Sequence, residues 1–394
     1  MRLWTARVAL TLAVVLGLGL AATQPAQGQT FTVLYNFTGD TDGSNPSDQP
    51  VIDSHGNLFG TAADDGSNRY GTVWEYTYDG KYVVLHTFDG TDGAYPNGVR
   101  LAKGGLFGTT YEGGSFNAGT IFKITPGGTF TTLYNFGLQS NDPRGSLSGV
   151  TLDPSGNMYG TSYKGGLYSN GTVWKLSSGG TETVLHNFRY IDGGQPANGD
   201  LKRDKQGNLY GVACYGGISD GGTLFEIASD GTFSVLHNFN RLGADGYFPA
   251  GSLLEYAGVL YGTAQSGGLG NSGTVWKYNI SSRKFRVLHS FSGPDGGAPF
   301  GGVGCQQGKK AVCAGKLFGT ASDGGTDGKG TVWEIDSSGT FSTLHSFDFS
   351  DGYDSLDRPF VDQAGNLFGT SNLGGSDGGG TLWEITAAKK AKRR

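Results

Sequence analysis

GNLYGVACYGGISDGGTLFEIASDGTFSVLHNF, residues 207–239, holds one copy of most of the phrases that repeat through the chain. Its aromatic–Gly pair returns at Phe59, Phe107, Tyr159, Tyr210, Tyr261, Phe318 and Phe368, seven copies spaced about 51 residues apart. Eleven residues after each of those glycines stands another: Gly71, Gly119, Gly171, Gly222, Gly273, Gly330 and Gly380. Each opens a G-T-[VIL]-[WF]-[EK] phrase. A spacing held through seven copies means a backbone held through seven copies. A hairpin between two strands explains it, with a Gly-Gly pair such as Gly113–Gly114 or Gly216–Gly217 taking positive φ at low cost. A turn such as ASDGT follows, and then the phrase VLHNF. The period predicts four short strands, here around 198–203, 208–213, 222–227 and 232–239.

The composition agrees. The 394 residues include 72 Gly and 12% aromatics, whereas disordered chains are poor in aromatic residues. Glycine, aromatics, Thr and Val without an amphipathic helix after residue 30 point to an all-β fold. Four strands per repeat, seven times over, predict a seven-bladed β-propeller. The ends predict its closure. FTVLYNF (31–37) is a lone fourth strand, and GTLWEI (380–385) is a third strand with no fourth after it. The N-terminal strand is expected to complete the blade begun by 355–385, which leaves no broad edge unpaired. The propeller should span 29–386, and the basic tail 387–394 reads as a solvated terminus.

The first 28 residues form a separate segment. Arg2 and Arg7 precede the apolar run VALTLAVVLGLGLAA, and Ala26 and Gly28 follow in a cleavage-site pattern. This is the pattern of a secretory signal peptide, too short for a comfortable membrane span, so a secreted or periplasmic protein is expected. The formal net charge is −5, and removing the leader removes two more positive charges. An acidic exported chain is a poor partner for phosphate backbones, so no nucleic acid is expected. The expectation is a monomer with no membrane span once the leader is cleaved.

Five of the six histidines, His86, His186, His237, His289 and His345, sit in the VLHNF phrase, where the two other copies carry Tyr35 and Tyr134. Imidazole chemistry would not be spread over a whole ring. These residues are expected to pack a flat ring against a neighbouring strand, with the polar tip at water or a backbone group. His55, in the turn SHGN, reads as a turn residue.

The set GNLYGT…GG…GTVWEI…TVLHNF…DGxxP resembles the GloVer tandem-repeat family of exported bacterial proteins over about residues 31–386, with kelch propellers a looser match. The resemblance implies a secreted or surface β-rich repeat protein and supplies no catalytic residue. The anchored members carry a surface anchor, and no hydrophobic anchor is seen after residue 386 here, which favours free secretion or the periplasm.

The loop after VLHNF carries D-G-x-x-P, placing Asp42, Asp92, Asp142, Asp192, Asp245, Asp295 and Asp351 at equivalent points. As caps, each would accept a backbone N–H in its own turn. The competing reading is a shared Ca²⁺, which takes six to eight oxygens. The cap is preferred, and no cofactor is expected. Asymmetry, which a ligand site requires, lies elsewhere. Tyr95, Gln195, Tyr247 and Phe248 stand before the loop prolines, and Arg100, Arg144, Arg203 and Arg358 lie in the first-strand regions. Together they form a candidate ligand-binding set on the loop face. No G-x-S-x-G or H-E-x-x-H appears, and no catalytic residue is assigned. The expected function is a non-catalytic binding or scaffold protein that holds a carbohydrate or protein at the channel mouth. The alternative is an extracellular carbohydrate-active enzyme, polysaccharide lyase or glycoside hydrolase, using the same mouth. Cys305 and Cys313 bracket QQGKKAV and are expected to form a disulfide in an oxidising compartment; Cys214 is expected as a small buried hydrophobe.

Overall fold

The structure, a computed structural model, describes residues 29–196, 199–307 and 313–387, without the side chains of Gln307, Cys313 and Ala314. Residues 1–28, where a leader is expected, and the tail from 388 lie outside the described residues. Among those residues there are thirty strands and no helix. Seven antiparallel four-stranded sheets form the blades, and Pro143–Arg144 with Lys164–Gly165 adds a small ladder. The inner strands of blades 1 to 7 start at Val51, Ala94, Thr151, Lys202, Tyr247, Gly304 and Phe360. The N-terminal strand Thr30–Asn36 is the outer strand of blade 7, paired antiparallel with Thr381–Thr386. The seven-bladed propeller and its closure are therefore as the repeats predict.

The aromatic–Gly pair has a physical cause. Each of its glycines lies directly across the ladder from the aromatic residue of the next strand: Gly60 from Trp74, Gly108 from Phe122, Gly160 from Trp174, Gly211 from Phe225, Gly262 from Trp276, Gly319 from Trp333 and Gly369 from Trp383. The ring lies over the glycine so closely that an added Cβ would stand 2.2–2.5 Å from it at all seven positions. All five of these indoles are fully buried, and none of their N–H groups finds a hydrogen-bond partner among the described residues. The ring serves through its area, and Phe does the same work in blades 2 and 4.

Blades join through aromatic contacts. The last residue of each VLHNF phrase (Phe37, Phe88, Phe136, Phe188, Phe239, Phe291, Phe347) is at most 1% exposed. Its ring sits 5.3–6.0 Å from the Trp or Phe of the following blade. Further out, the His or Tyr of the phrase stacks flat on an outer-strand ring of that blade. The pairs are Tyr35 on Tyr82, His86 on Phe130, His186 on Phe233, His237 on Phe285, His289 on Phe341 and His345 on Phe31, with centroids 3.6–4.1 Å apart. The expected packing role holds, and the polar tip finds a side chain rather than a backbone group. It meets the loop Asp, as in Tyr35 to Asp42 (2.8 Å), His86 to Asp92 (2.7 Å) and His345 to Asp351 (2.8 Å). The residues are six positions apart in most copies, so the loop folds back on its own strand end. Burial pushes the His186 and His289 imidazoles below their ordinary pKa, which favours the neutral ring that stacks.

One interface breaks the series. Against Tyr134, between blades 2 and 3, the equivalent position is Glu182. One of its carboxylate oxygens is buried with no hydrogen-bond partner among the described residues. Burial and the charge of Asp142 push its pKa up to about 7. Cys214 is buried beside Ala250, as expected. Cys305 is disulfide-bonded. Gln307 pairs with Cys313 across the ladder, while the Cys313 side chain lies outside the described residues, so the Cys305–Cys313 bond stays a proposal.

Two tests follow from this packing. Deleting 29–38 removes Phe31, Tyr35 and Phe37, and should lower the melting temperature by roughly 10 °C or more. An unchanged melting curve would refute the closure. Glu182→Phe should complete the ring of stacks and raise stability by about 1–2 kcal/mol at pH 8. A raised folded pKa makes the wild type lose stability as pH climbs from the ordinary 4.5 through about 7. The gain from Glu182→Phe should therefore shrink below pH 5 in urea titrations at both pH values.

Candidate ligand site at the channel mouth

The seven D-G loops share one geometry. The Asp accepts the backbone N–H of the residue just past the VLHNF phrase, Thr38, Asp89, Arg189, Asn240, Ser292 or Asp348, or in the third copy of Gln139, three residues past it. In six blades its carbonyl takes the buried Thr hydroxyl of the G-T phrase, from Thr72, Thr120, Thr223, Thr274, Thr331 or Thr381. The cap is thus present, and it also ties one blade's stacking ring to the next blade's core strand. Among the described residues no group of three or more His, Cys, Asp or Glu is placed to hold a metal ion.

Three residues after each Asp the backbone turns left-handed. Asn45, Tyr95, Gln195, Phe248, Ala298 and Asp354 have φ of 48–59°, and Gly145 takes 63° in blade 3. Left-handed backbone is uncommon outside glycine, and strain of this kind gathers at functional sites. In five of the seven blades the N–H of this residue donates to a carbonyl in the preceding blade, as from Tyr95 to Tyr70 (3.0 Å). The backbone is constant while the side chains run from Ala to Tyr. Their variety therefore reflects what they present rather than how the turn is built.

Two of these turn residues, Asn45 and Tyr95, line a cleft of about 350 Å³ on the loop face. Tyr95, Tyr111, Leu147 and Phe300 are among its apolar lining; Asn45, Asp64, Asn97 and Asn372 are among its polar lining. Asn45 donates its amide to Asp64, and Asn372 donates to Asp354 (3.1 Å). Burial holds the Asp354 carboxyl above the usual range.

The floor is ionic. Asp48, Asp200 and Asp357 meet Arg100 and Arg358 there. Arg100 pairs with Asp200 and stands 3.8 Å from Asp48. Asp357 accepts the backbone N–H groups of Gln49 and Arg358. Burial, and then the facing Asp48 carboxylate, raise the Asp357 pKa well above the ordinary value. Burial brings Arg358 down to about 10, and its guanidinium donates to Gln49 and the Val303 carbonyl. On the far side of the channel the inner strands approach backbone to backbone. A Cβ on Gly199, Gly251 or Gly301 would lie 2.2–2.3 Å from the next strand.

The predicted site residues divide. Tyr95 lines the cleft. Phe248 lies against Tyr215, 4.8 Å between centroids, and Arg241 covers both Tyr247 and Phe248, so these form a cluster beside it. Gln195 holds its left-handed turn but does not line the cleft. Arg144 turns toward the Gly137 carbonyl. Arg100, Arg203 and Arg358 belong to the opposite mouth rather than the loop face. The inner strand runs from the loop face through the channel, so residues late in it emerge at the other end. Sequence reasoning missed Asp48, Asp357, Asp200, Tyr111 and Asn372. Two of these had a readable signal. The third residue after the aromatic-flanking glycine is Ala63, Tyr111, Tyr163, Cys214, Gln265, Ser322 or Asn372, a variable position in a constant frame.

Asp48→Asn tests the floor. The raised Asp357 pKa means the wild type loses stability as pH rises above the ordinary 3.8 toward the folded value. Removing the facing charge should raise the melting temperature at pH 8, with the gain fading toward pH 4. A gain independent of pH would show that the two carboxyls are not coupled.

The Gloeobacter/Verrucomicrobia repeat model matches residues 17–151 and 146–310. No curated protein matches the chain. Among solved structures it is similar to an oligogalacturonate lyase in complex with manganese, with 12% identity, TM-score 0.60, and 93% of this chain and 95% of that one covered. It is also similar to the extracellular domain of the putative one component system BT4673 from B. thetaiotaomicron, with 12% identity, TM-score 0.57 and 90% of this chain covered, but only 40% of that one. A putative 6-phosphogluconolactonase from Bacteroides uniformis aligns at 15% identity and TM-score 0.50 over 76% of this chain and 84% of that one. At these identities the likeness is one of fold.

Proposed function

The chain belongs to the Gloeobacter/Verrucomicrobia repeat family, and from that premise we propose an exported binding propeller that holds a carbohydrate in its loop-face cleft. One observation carries the reading: aromatic rings, Tyr95 and Tyr111, and amide and carboxylate groups, Asn45, Asp64 and Asn372, line one cleft of about 350 Å³. The C–H face of a sugar packs on aromatic rings while its hydroxyls bond to carboxylates and amides. A concave cleft of this size suits a small ligand better than a protein surface. Export rests on the family and on the leader-like sequence at 1–28.

The second reading, a carbohydrate-active enzyme, draws on the coupled Asp48 and Asp357 at the cleft floor. Binding is preferred because both Asp357 oxygens already accept backbone N–H groups.

A glycan array followed by calorimetry on the hits tests the proposal. Tyr95→Ala and Tyr111→Ala should each weaken binding about tenfold, the worth of one lost ring contact, with the melting temperature little changed. Failure of every glycan, or binding indifferent to both changes, would refute it. Turnover of a bound glycan, oligogalacturonate with manganese included, would favour the enzyme if Asp357→Asn abolished it.

A further inference from the structure

The opposite end of the channel opens as a second cavity, about 570 Å³, which meets the loop-face cleft only at Asp200 and Ser252. Its character is reversed. Arg100, Lys202, Arg203 and Arg358 supply the charge, and Val51, Leu152, Leu254 and Phe360 are among the apolar walls. The cations are not alike. The Arg100 charge is met by Asp200 and Asp48, and the Arg358 guanidinium is spent on Gln49 and the Leu253 and Val303 carbonyls. Lys202 forms no ion pair or hydrogen bond among the described residues. Only partly exposed, it sits on the inner strand of blade 4. The charges that act on it are Arg358, which repels it, and Glu255, which attracts it from beyond ion-pair range. Burial is the largest cause of its lowered pKa. A partly desolvated ammonium at a cavity wall, with no ion-pair partner and a repelling guanidinium nearby, is a place an anion would complete.

We infer that this mouth is a second binding site, for a small organic anion whose carboxylate or phosphate is held by the Lys202 ammonium and whose body lies against Val51, Leu152, Leu254 and Phe360. The inner strands of a propeller form a rigid frame, so the site is preformed. The loop-face ligand plays no part in it, so the two sites stand or fall separately.

Malonate and inorganic phosphate, titrated into the full-length protein by calorimetry and thermal melting, are the probes. Sodium chloride at matched ionic strength controls for screening. At least one probe should bind saturably and raise the melting temperature by mass action. The arm that binds more tightly identifies the head group. Lys202→Met should weaken that binding by at least about tenfold, since it removes a charged donor. The same change should raise the melting temperature of the unliganded protein, because it removes a cation that is partly desolvated and repelled by Arg358. Lys202→Arg should keep binding. Affinity should fall as pH rises, beginning below the ordinary lysine value of 10.5. No saturable binding of either anion, or equal binding by wild type and Lys202→Met, would overturn the proposal.

Discussion

An aromatic ring lying flat on a glycine organises every blade. The second strand can approach the third only because Gly60 and its six counterparts lack a Cβ, and the ring fills the space that the missing atom leaves. This single contact fixes the register of the central ladder. A one-residue slip would move every side chain to the other face and put a Cβ under the ring. The next blade's Trp or Phe is then presented at a constant height, where the final Phe of VLHNF can reach it. Stability thus spreads over seven equivalent contacts, and no single blade carries it.

Outside this core the blades are tied by a polar relay. The loop Asp receives the stacking His or Tyr of one blade through its carboxylate and the Thr hydroxyl of the next through its carbonyl. Histidine suits the place because its flat ring stacks like Phe yet reaches a carboxylate; Tyr35 does the same through its hydroxyl. Glu182 shows what the frame tolerates. One stack can be lost, and the ring still closes, with a buried carboxylate left at the interface.

A frame this uniform leaves function to the positions where repeats differ. The left-handed turn before each inner strand, the third residue after each aromatic-flanking glycine and the inner-strand residues facing the channel all hold constant backbone with changing side chains. They divide the channel into an acidic and aromatic cleft above and a basic cavity below, with the Arg100–Asp200 pair between them. The separation follows from the course of the inner strands through the channel. Residues alternate along the inner strand, and their position along it decides which mouth they serve.

The sequence by itself determined the blade count, the strand order and the closure, because each rests on local spacing that repeats seven times. It also determined that the histidines are scaffold, since Tyr35 and Tyr134 stand in the same place. Tertiary structure alone decided the partners. Asp42 and Tyr35 are seven residues apart, yet only the folded loop shows that one receives the other's hydroxyl. Asp48, Arg100, Asp200 and Asp357 come from four blades, and no spacing along the chain relates them. Three of the four arginines read as one loop-face group, Arg100, Arg203 and Arg358, line the other mouth for the same reason. Sequence periodicity reports which face of a strand a residue takes, while the depth at which it enters a closed ring depends on how all seven strands are tilted and packed about the axis.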